Sequence, residues 1–327
     1  MNIERLRGNW GNILGRFIAL IAVFAFFSIL VEDGRFYTPR NLENILRQSA
    51  VYGTAGIGMT LVIITAGIDL SVGSIIALAV VVVAGCLNAA VAPIIAVVAG
   101  VSAATLAGLF NGGLIVGLRL VPFIVTLGTM GMIRGLAKGI SKEKDIYPPD
   151  GNWIADIMDP ALTNPNSTSF LFPPGVWIML ISMVAMAFVL RYTRFGRHVF
   201  AVGSNEETAR LCGVNVGRTK LIVYALCGFF CGFAGLMQFS YIGGIGQPAT
   251  ATMYELFVIA AVIIGGASFT GGEGSILGTF IGALTITILY MGGQQMGWPK
   301  WVQEMVIGGI IIAAVAIDQF RHRRLST

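Results

Sequence analysis

The stretch "VIITAGIDLSVGSIIA" at residues 62–77 carries one carboxylate, Asp69, between two apolar runs. From Gln48 to Leu118 the sequence contains no other charged residue. Runs this long without charge indicate transmembrane helices, each of which needs about 20 apolar residues to cross the hydrocarbon core. Gly and Ser residues interrupt the run near 67–74, where we expect one helix to break and another to begin. Asp69 or Ser71 would cap the second helix. Direct contact with a transported substrate is the alternative role for Asp69.

The composition of the whole chain also favours a membrane protein. Of its 327 residues, 56% are hydrophobic and 11% are charged, whereas a soluble domain carries about 25% charged residues. We therefore predict an all-α polytopic membrane protein with about ten transmembrane helices, in a single transmembrane domain covering residues 1–327. The predicted spans are 13–31, 49–67, 70–90, 92–117, 122–140, 175–191, 219–242, 252–268, 275–292 and 301–318.

Basic residues predict the orientation of these spans. They concentrate in the segment 191–220 and in the C-terminal tail, and such segments face the cytoplasm in membrane proteins. Both termini should then be cytoplasmic, and the segment 141–174 should be an external loop. The segment 32–48 also falls outside, although it carries Arg35, Arg40 and Arg47, which is contrary to the same rule. The net charge is +5. Because basic residues in a membrane protein mostly mark its cytoplasmic segments, we do not take this charge as a sign of nucleic-acid binding and expect no nucleic-acid partner.

A second break is predicted near 268–274. The sequence "IIGGASFTGGEGSILG" at 263–278 aligns without gaps with 62–77, because both pass from apolar residues through Gly and Ser into a G-S-I motif. Repeats with interrupted helices recur in transporters; a chance similarity is the alternative. The four-residue spacing of Gly228 and Gly232, and of Gly278 and Gly282, predicts close helix–helix packing.

The basic segment 191–220 should contain one short helix. Ser204 and Glu207 fit a capping box, and Gly213 fits the residue that follows a helix, so the predicted helix runs over 205–212. A helix of two turns is marginal by itself in water. It must pack either against the protein's own membrane ends or into a groove on a soluble partner.

The sequence argues against an enzyme. It has no phosphate-binding loop, and its two histidines, His198 and His322, both lie in basic segments, away from the membrane depth that an intramembrane acid–base pair needs. The ionisable residues of the apolar stretches lie near predicted breaks or ends: Asp69, Arg134, Glu255 and Glu304. We expect no metal and no cofactor, and a permease energised by another subunit. An ion-coupled carrier is the more distant alternative.

Several motifs together resemble a known family, the membrane permease subunits of bacterial ABC importers for ribose, xylose, arabinose and galactose. The motifs occur in the family's order and span most of the chain. They are "GMTLVIITAGIDLSVGS" (58–74), "AGLFNGGLIVGLRLVPFIVTLGTMGMIRGL" (107–136), "FGRHVFAVGSNEETARLCGVNV" (195–216), "YALCGFFCGFAG" (224–235) and "ATMYELFVIAAVIIGGASFTGGEGSILGTFIGAL" (251–284).

The resemblance implies a bacterial inner-membrane permease that pairs with a second copy, identical or related. A periplasmic sugar-binding protein would deliver a monosaccharide, and a cytoplasmic ABC ATPase pair would bind ATP and contact the segment 191–220. A nucleoside or a sugar-derived signal molecule is the alternative cargo. The residues implied in coupling to the ATPase are Ser204, Asn205, Glu206, Glu207, Ala209, Arg210 and Gly213.

The same motifs hold polar and aromatic residues that suit a sugar pathway. These candidates are Asp69, Ser71, Asn111, Phe123, Thr126, Thr129, Tyr254 and Glu255. One position departs from the family's pattern, since Phe257 stands where ribose-type members often have Asp. If that position faces the pathway, the choice of sugar would change.

Overall fold

The protein is described here by a computed structural model whose backbone covers residues 3–161 and 171–325. Within these ranges the chain is helical and has no strand, apart from an isolated antiparallel bridge between Ile146 and Gly246. The helices are α1 Ile3–Leu30, α2 Pro39–Ile64, α3 Val72–Asn88, α4 Pro93–Gly117, α5 Pro122–Ser141, α6 Pro174–Tyr192, α7 Arg194–Ser204, α8 Glu206–Leu211, α9 Val216–Tyr241, α10 Tyr254–Ile264, α11 Ile276–Gln295 and α12 Lys300–Leu325, with a 3₁₀ helix at Glu32–Tyr37.

Each of the ten predicted spans coincides with a helix, which confirms an all-α polytopic membrane protein. Five of the described helices, α4, α5, α6, α9 and α11, are long and apolar enough to cross a membrane. α10 has only 11 residues, so at 1.5 Å per residue it reaches about half of the hydrocarbon thickness. α2 begins ten residues before the predicted span, because Thr38 caps it and Pro39 occupies its first turn.

Both predicted breaks are present, over residues 65–71 and 265–275. α2 ends where the Ala66 and Gly67 N–H groups donate to the Ile63 and Val62 carbonyl oxygens, at 2.9 Å each. α10 ends in the same way, since Gly266 N–H donates to Ile263 O at 2.7 Å and Ala267 N–H donates to Val262 O at 3.1 Å. The sequence repeat therefore corresponds to a repeat in backbone hydrogen bonding.

α9 lies at the centre of the bundle and packs against α2, α3 and α4. Gly228 brings α9 and α4 into backbone contact, because a Cβ there would overlap Ala104 O and lie 3.0 Å from Gly108 N. Gly282 of α11 lies in the same way against Ala261 O of α10. The predicted close packing at glycines four residues apart is confirmed.

The bundle has two distinct ends. One end, here called the α8 end, carries α7, α8 and both breaks, and Arg16 of α1 lies against Gly266 there. The opposite end joins the segments 32–48, 141–161, 242–250 and 295–299. Contacts across that end include Asn41 with Gln295 and the Met158 N–H group donating to Ser240 Oγ at 2.8 Å.

The basic segment 32–48 lies at the opposite end from α8, as the span count predicts and the charge rule does not. Arg47 explains part of this exception, because its guanidinium lies 5.2 Å from the centre of the Tyr241 ring, a favourable cation–π contact. In the segment 141–174, residues 153–158 form a run of turns. Residues 162–170 of that segment lie outside the described residues.

Candidate functional site

The segment 191–220 contains two helices where one was predicted. α7 covers Arg194–Ser204 and was not predicted, whereas α8 covers Glu206–Leu211. The predicted capping box is wrong, since Ser204 is the last residue of α7. Asn205 caps α8 instead, accepting a hydrogen bond from Thr208 N–H at 2.8 Å through Oδ1. Asn is as good a cap as Ser, so the sequence alone allowed both registers.

The end of α8 is as predicted. Gly213 has a φ of +83°, and its N–H group donates to Arg210 O at 3.0 Å. Val214 N–H reaches back to Ala209 O at 3.0 Å, which completes a hydrogen-bonded helix end of the kind that favours glycine.

One face of α8 fixes it to the bundle. Ala209 is buried and packs with Val202 of α7 and Val216 of α9. Glu206 forms ion pairs with Arg210 at 3.1 Å and with Lys220 at 2.6 Å. The helix therefore packs against the protein's own α7 and α9, which is one of the two arrangements considered from the sequence.

The other face of α8 is open. Glu207 and Arg210 are exposed, and Leu211 is 88% exposed. Beside them lies a groove of about 610 Å³, lined by residues that include Arg119, Leu120, Arg210 and Lys220. Leu211 was missed as a candidate, although an apolar residue at the end of a charged two-turn helix was visible in the sequence. An exposed apolar side chain beside basic groups suits contact with another protein.

Four of the predicted pathway residues meet at the first break and form hydrogen bonds there. Asn111 Nδ2 donates to Ser71 Oγ at 2.7 Å, and Ser71 Oγ donates to Asp69 Oδ1 at 2.5 Å. Ser71 N–H donates to the same Asp69 oxygen at 2.9 Å. Thr126 Oγ1 lies 3.1 Å from Ile68 O. Asp69, Ser71, Asn111 and Thr126 are all fully buried.

Asp69 forms the turn that leads into α3, but it does not cap the helix from the N-cap position. Ser71 occupies that position, and its side chain makes no capping bond to α3. Asp69 Oδ2, Asn111 Oδ1 and Tyr224 Oη are buried oxygens with no hydrogen-bond partner among the described residues. The break can therefore accept further hydrogen bonds.

Thr129 and Phe123 lie on α5 beside this cluster but have different surroundings. Thr129 is buried and donates through Oγ1 to Thr126 O at 3.3 Å. Phe123 is 46% exposed on the surface of the single chain. The structure therefore does not bring Phe123 into the hydrogen-bonded group at the first break.

Tyr254 forms a second polar group. The Tyr254 hydroxyl donates to Gln238 Oε1 at 3.2 Å and accepts from Gln48 Nε2 at 3.4 Å. Gln238 Nε2 in turn donates to Thr250 Oγ1 at 3.0 Å. This network joins α2 and α9 to the non-helical segment that precedes α10.

Arg134 and Glu255 lie near the same non-helical segment. The Arg134 guanidinium donates to Pro248 O at 3.1 Å and to Thr250 O at 2.6 Å. The Glu255 carboxylate lies against Gly73, at the start of α3. Buried backbone carbonyl groups need hydrogen-bond partners. Arg134 supplies a donor to the carbonyl groups of two buried residues, Pro248 and Thr250.

Phe257 packs inside the bundle. Its ring centre lies 5.5 Å from that of Tyr52, 6.1 Å from Tyr254 and 5.6 Å from Tyr290. These aromatic residues fill the seam between α2, α10 and α11. The departure from the family's frequent Asp therefore falls in an aromatic cluster, and not in the group at the first break.

The opposite end of the bundle presents acidic residues of the segment 141–161. Burial and the neighbouring Asp156 raise the pKa of Asp159, while Arg47 acts to lower it. Glu43 is buried and accepts a hydrogen bond from Ala161 N–H. This contact fastens the segment to α2.

Comparison with known proteins identifies the family of this chain. Residues 41–315 match the family described as branched-chain amino acid transport system / permease component. The chain belongs to this permease family. No solved structure matches the chain.

Curated members of the family with similar sequences are sugar permeases. The ribose import permease protein of Escherichia coli K12 is 37% identical over 92% of both chains. The fructose import permease protein of Rhizobium meliloti is 36% identical over 93% of this chain and 84% of its own. The L-arabinose ABC transporter permease protein of Azospirillum brasilense is 34% identical over 98% of this chain and 92% of its own. All three relatives are named as import or transport permeases.

Proposed function

We propose that this permease is the membrane-spanning subunit of an ABC importer that moves a monosaccharide into the bacterial cytoplasm. The observation that carries the proposal is its similarity, over nearly its whole length, to permeases named for ribose, fructose and arabinose. In this proposal both termini and α8 face the cytoplasm, because the basic segment 191–220 contains α8.

The exposed face of α8 is the proposed contact for a separate ATPase subunit, which binds and hydrolyses ATP. Glu207, Arg210 and Leu211 would touch that subunit, since all three are exposed. Ala209 and Glu206 would act differently, because they hold α8 against α7 and α9. Asn205 and Gly213 would set where α8 begins and ends, whereas Ser204 ends α7.

A periplasmic sugar-binding protein is the proposed partner at the opposite end, where the segment 141–161 is exposed along much of its length. A second copy of the chain, or a related permease, would complete the transporter in the membrane. Asp69, Ser71, Asn111 and Thr126 are proposed to line or support the sugar pathway at the first break. Four further pathway candidates lie outside this group: Thr129, Phe123, Tyr254 and Glu255.

The test is uptake into proteoliposomes that contain the permease, its ATPase and its binding protein. Radiolabelled ribose, arabinose, xylose and fructose should be compared with a nucleoside and with a branched-chain amino acid. ATP-dependent accumulation of a monosaccharide is expected. Uptake driven by a proton gradient without the ATPase would contradict the proposal and favour an ion-coupled carrier.

A variant of α8 tests the contact with the ATPase. Leu211→Glu should abolish binding of the ATPase subunit, because it puts a charge on the apolar part of the contact surface. Tyr147→Glu, which puts the same charge on an exposed side chain at the opposite end of the bundle, is the matched control and should retain binding. Co-purification of the ATPase with the permease measures both. Unchanged co-purification of Leu211→Glu would remove α8 as the docking element.

A further inference from the structure

Three backbone segments meet at the α8 end of the bundle. They are the end of α2 at residues 64–66, the last turn of α7 at 203–204, and the middle of the second break at 271–272. Gly272 N–H donates to Ile64 O at 2.9 Å, so a direct hydrogen bond joins the second break to the last residue of α2, where the first break begins. These residues are called the break junction below.

Gly203 gives α7 its place in the break junction. A Cβ at Gly203 would overlap Ile64 O and lie 2.7 Å from Gly272 N. A Cβ at Gly271 would in turn lie 2.7 Å from Gly203 O. The atoms in contact belong to the backbone, so they cannot move aside by changing a rotamer. Packed backbone transmits a displacement because interiors have low compressibility.

The break junction lies directly between α8 and the buried polar residues of the first break. Only Asn205 separates the end of α7 from the start of α8, so α8 has no flexible linker to absorb a movement. On the other side of the junction, Asp69 follows Ala66 by three residues and bonds to Ser71 at the start of α3. A displacement of α8 can therefore reach both ends of the first break through one chain of contacts.

We infer that Gly203 is a positioning residue through which movement of α8 is passed to both helix breaks. The inference rests on the proposed function, since it needs an ATPase that moves α8. A larger residue at 203 would separate α7 from Ile64 and from Gly272 without touching the ATPase contact surface. Less sugar would then be imported for each ATP hydrolysed, while ATP hydrolysis continues.

Gly203→Ala in the reconstituted complex tests this inference. The number of sugar molecules imported per ATP hydrolysed should fall by about tenfold, within the range typical of a coupling free energy between two sites. Basal ATP hydrolysis and co-purification of the ATPase should persist. Gly85→Ala in α3 is the matched control, because a Cβ there meets nothing within 4 Å. An unchanged ratio for Gly203→Ala would overturn the inference.

If the Gly203→Ala complex does not assemble, a second measurement on the unmodified complex tests the inference. Hydrogen–deuterium exchange is compared between the nucleotide-free complex and the complex trapped with an ATP analogue. Exchange in α8 and in the second break should change together. The turn in which Val91 N–H donates to Cys86 O at 3.0 Å, away from the junction, should not change.

The outcomes separate the inference from the proposed function. If α8 responds to the nucleotide and residues 265–275 do not, the movement bypasses the break junction and the inference is wrong. If α8 itself does not respond, and uptake does not depend on the ATPase, the proposed function fails and the inference fails with it.

Discussion

Replacing Asp69 by Asn or by Ala separates the hydrogen bonding of this residue from its charge. Asp69 Oδ1 accepts from Ser71 N–H at 2.9 Å and from Ser71 Oγ at 2.5 Å. Asn can present its amide oxygen to both donors, whereas Ala leaves both of them unsatisfied in a fully buried site. Each such donor costs about 1–3 kcal/mol, so Asp69→Ala should lower the free energy of unfolding by about 2–6 kcal/mol.

Asp69→Asn should cost much less. A neutral acceptor is weaker than a carboxylate by about 1 kcal/mol per hydrogen bond, and removal of a desolvated charge offsets part of that loss. Thermal unfolding of the purified chain in detergent, followed by tryptophan fluorescence, measures the order of stability. The expected order is native, then Asp69→Asn, then Asp69→Ala well below. Ser102→Ala removes an exposed hydroxyl on α4 and should unfold like the native chain.

Two results would change this account of Asp69. If Asp69→Asn and Asp69→Ala lose the same stability, the hydrogen bonds to Ser71 do not hold the turn and the structural reasoning is refuted. If Asp69→Asn unfolds like the native chain but no longer supports uptake, the charge itself acts in transport. The second result would favour the pathway role over the role in starting α3.

Three further substitutions test other parts of the structure. Arg134→Met should lower thermal stability, because the carbonyl groups of Pro248 and Thr250 lose their donor at about 1–3 kcal/mol each; Arg134→Lys should recover part of the loss in the same thermal assay. Gly228→Leu should reduce the yield of folded protein in size-exclusion chromatography, because its Cβ would overlap Ala104 O, whereas Gly85→Ala should not. Asn205→Ala should weaken α8 by about 1 kcal/mol through loss of its cap. Ser204→Ala is the control and should leave ATPase co-purification unchanged. If Asn205→Ala and Ser204→Ala have equal effects on co-purification, the assignment of Asn205 as the cap is wrong.

The helices and both breaks could be predicted because their signals are local. Apolar runs long enough to cross a membrane, and clusters of Gly and Ser, are patterns of neighbouring residues. Each of the ten spans predicted from these runs coincides with a helix. α7 was missed because its 11 residues carry basic groups and form no span-length apolar run. Its buried residues, Val199 and Val202 among them, show a helical spacing, but that spacing is too short to stand out in a basic segment.

The arrangement of the candidate site could be predicted only in part. The sequence selected Asp69, Ser71 and Asn111 as separate candidates, but Asn111 bonds to Ser71 across 40 residues of chain. A contact of that kind depends on how α3 and α4 cross, which no local pattern encodes. The same limit applies to Phe257 of α10, whose aromatic neighbours Tyr52 and Tyr290 lie on two other helices, α2 and α11.

The second break is longer than the first, and a hydrogen bond made by the second break explains the difference. The two breaks begin in the same way, because Gly266 N–H bonds at the end of α10 as Ala66 N–H bonds at the end of α2, 200 residues earlier. The helix that follows starts later in the second case, since α11 begins 204 residues after α3. The longer second break contains Gly272, which donates to Ile64 O. That carbonyl belongs to the last turn of α2, where no further N–H group of the helix can reach it. A second break of the same length as the first would leave it without this donor, at a cost of about 1–3 kcal/mol if it stayed buried. The repeat therefore departs from symmetry where one break closes against the other.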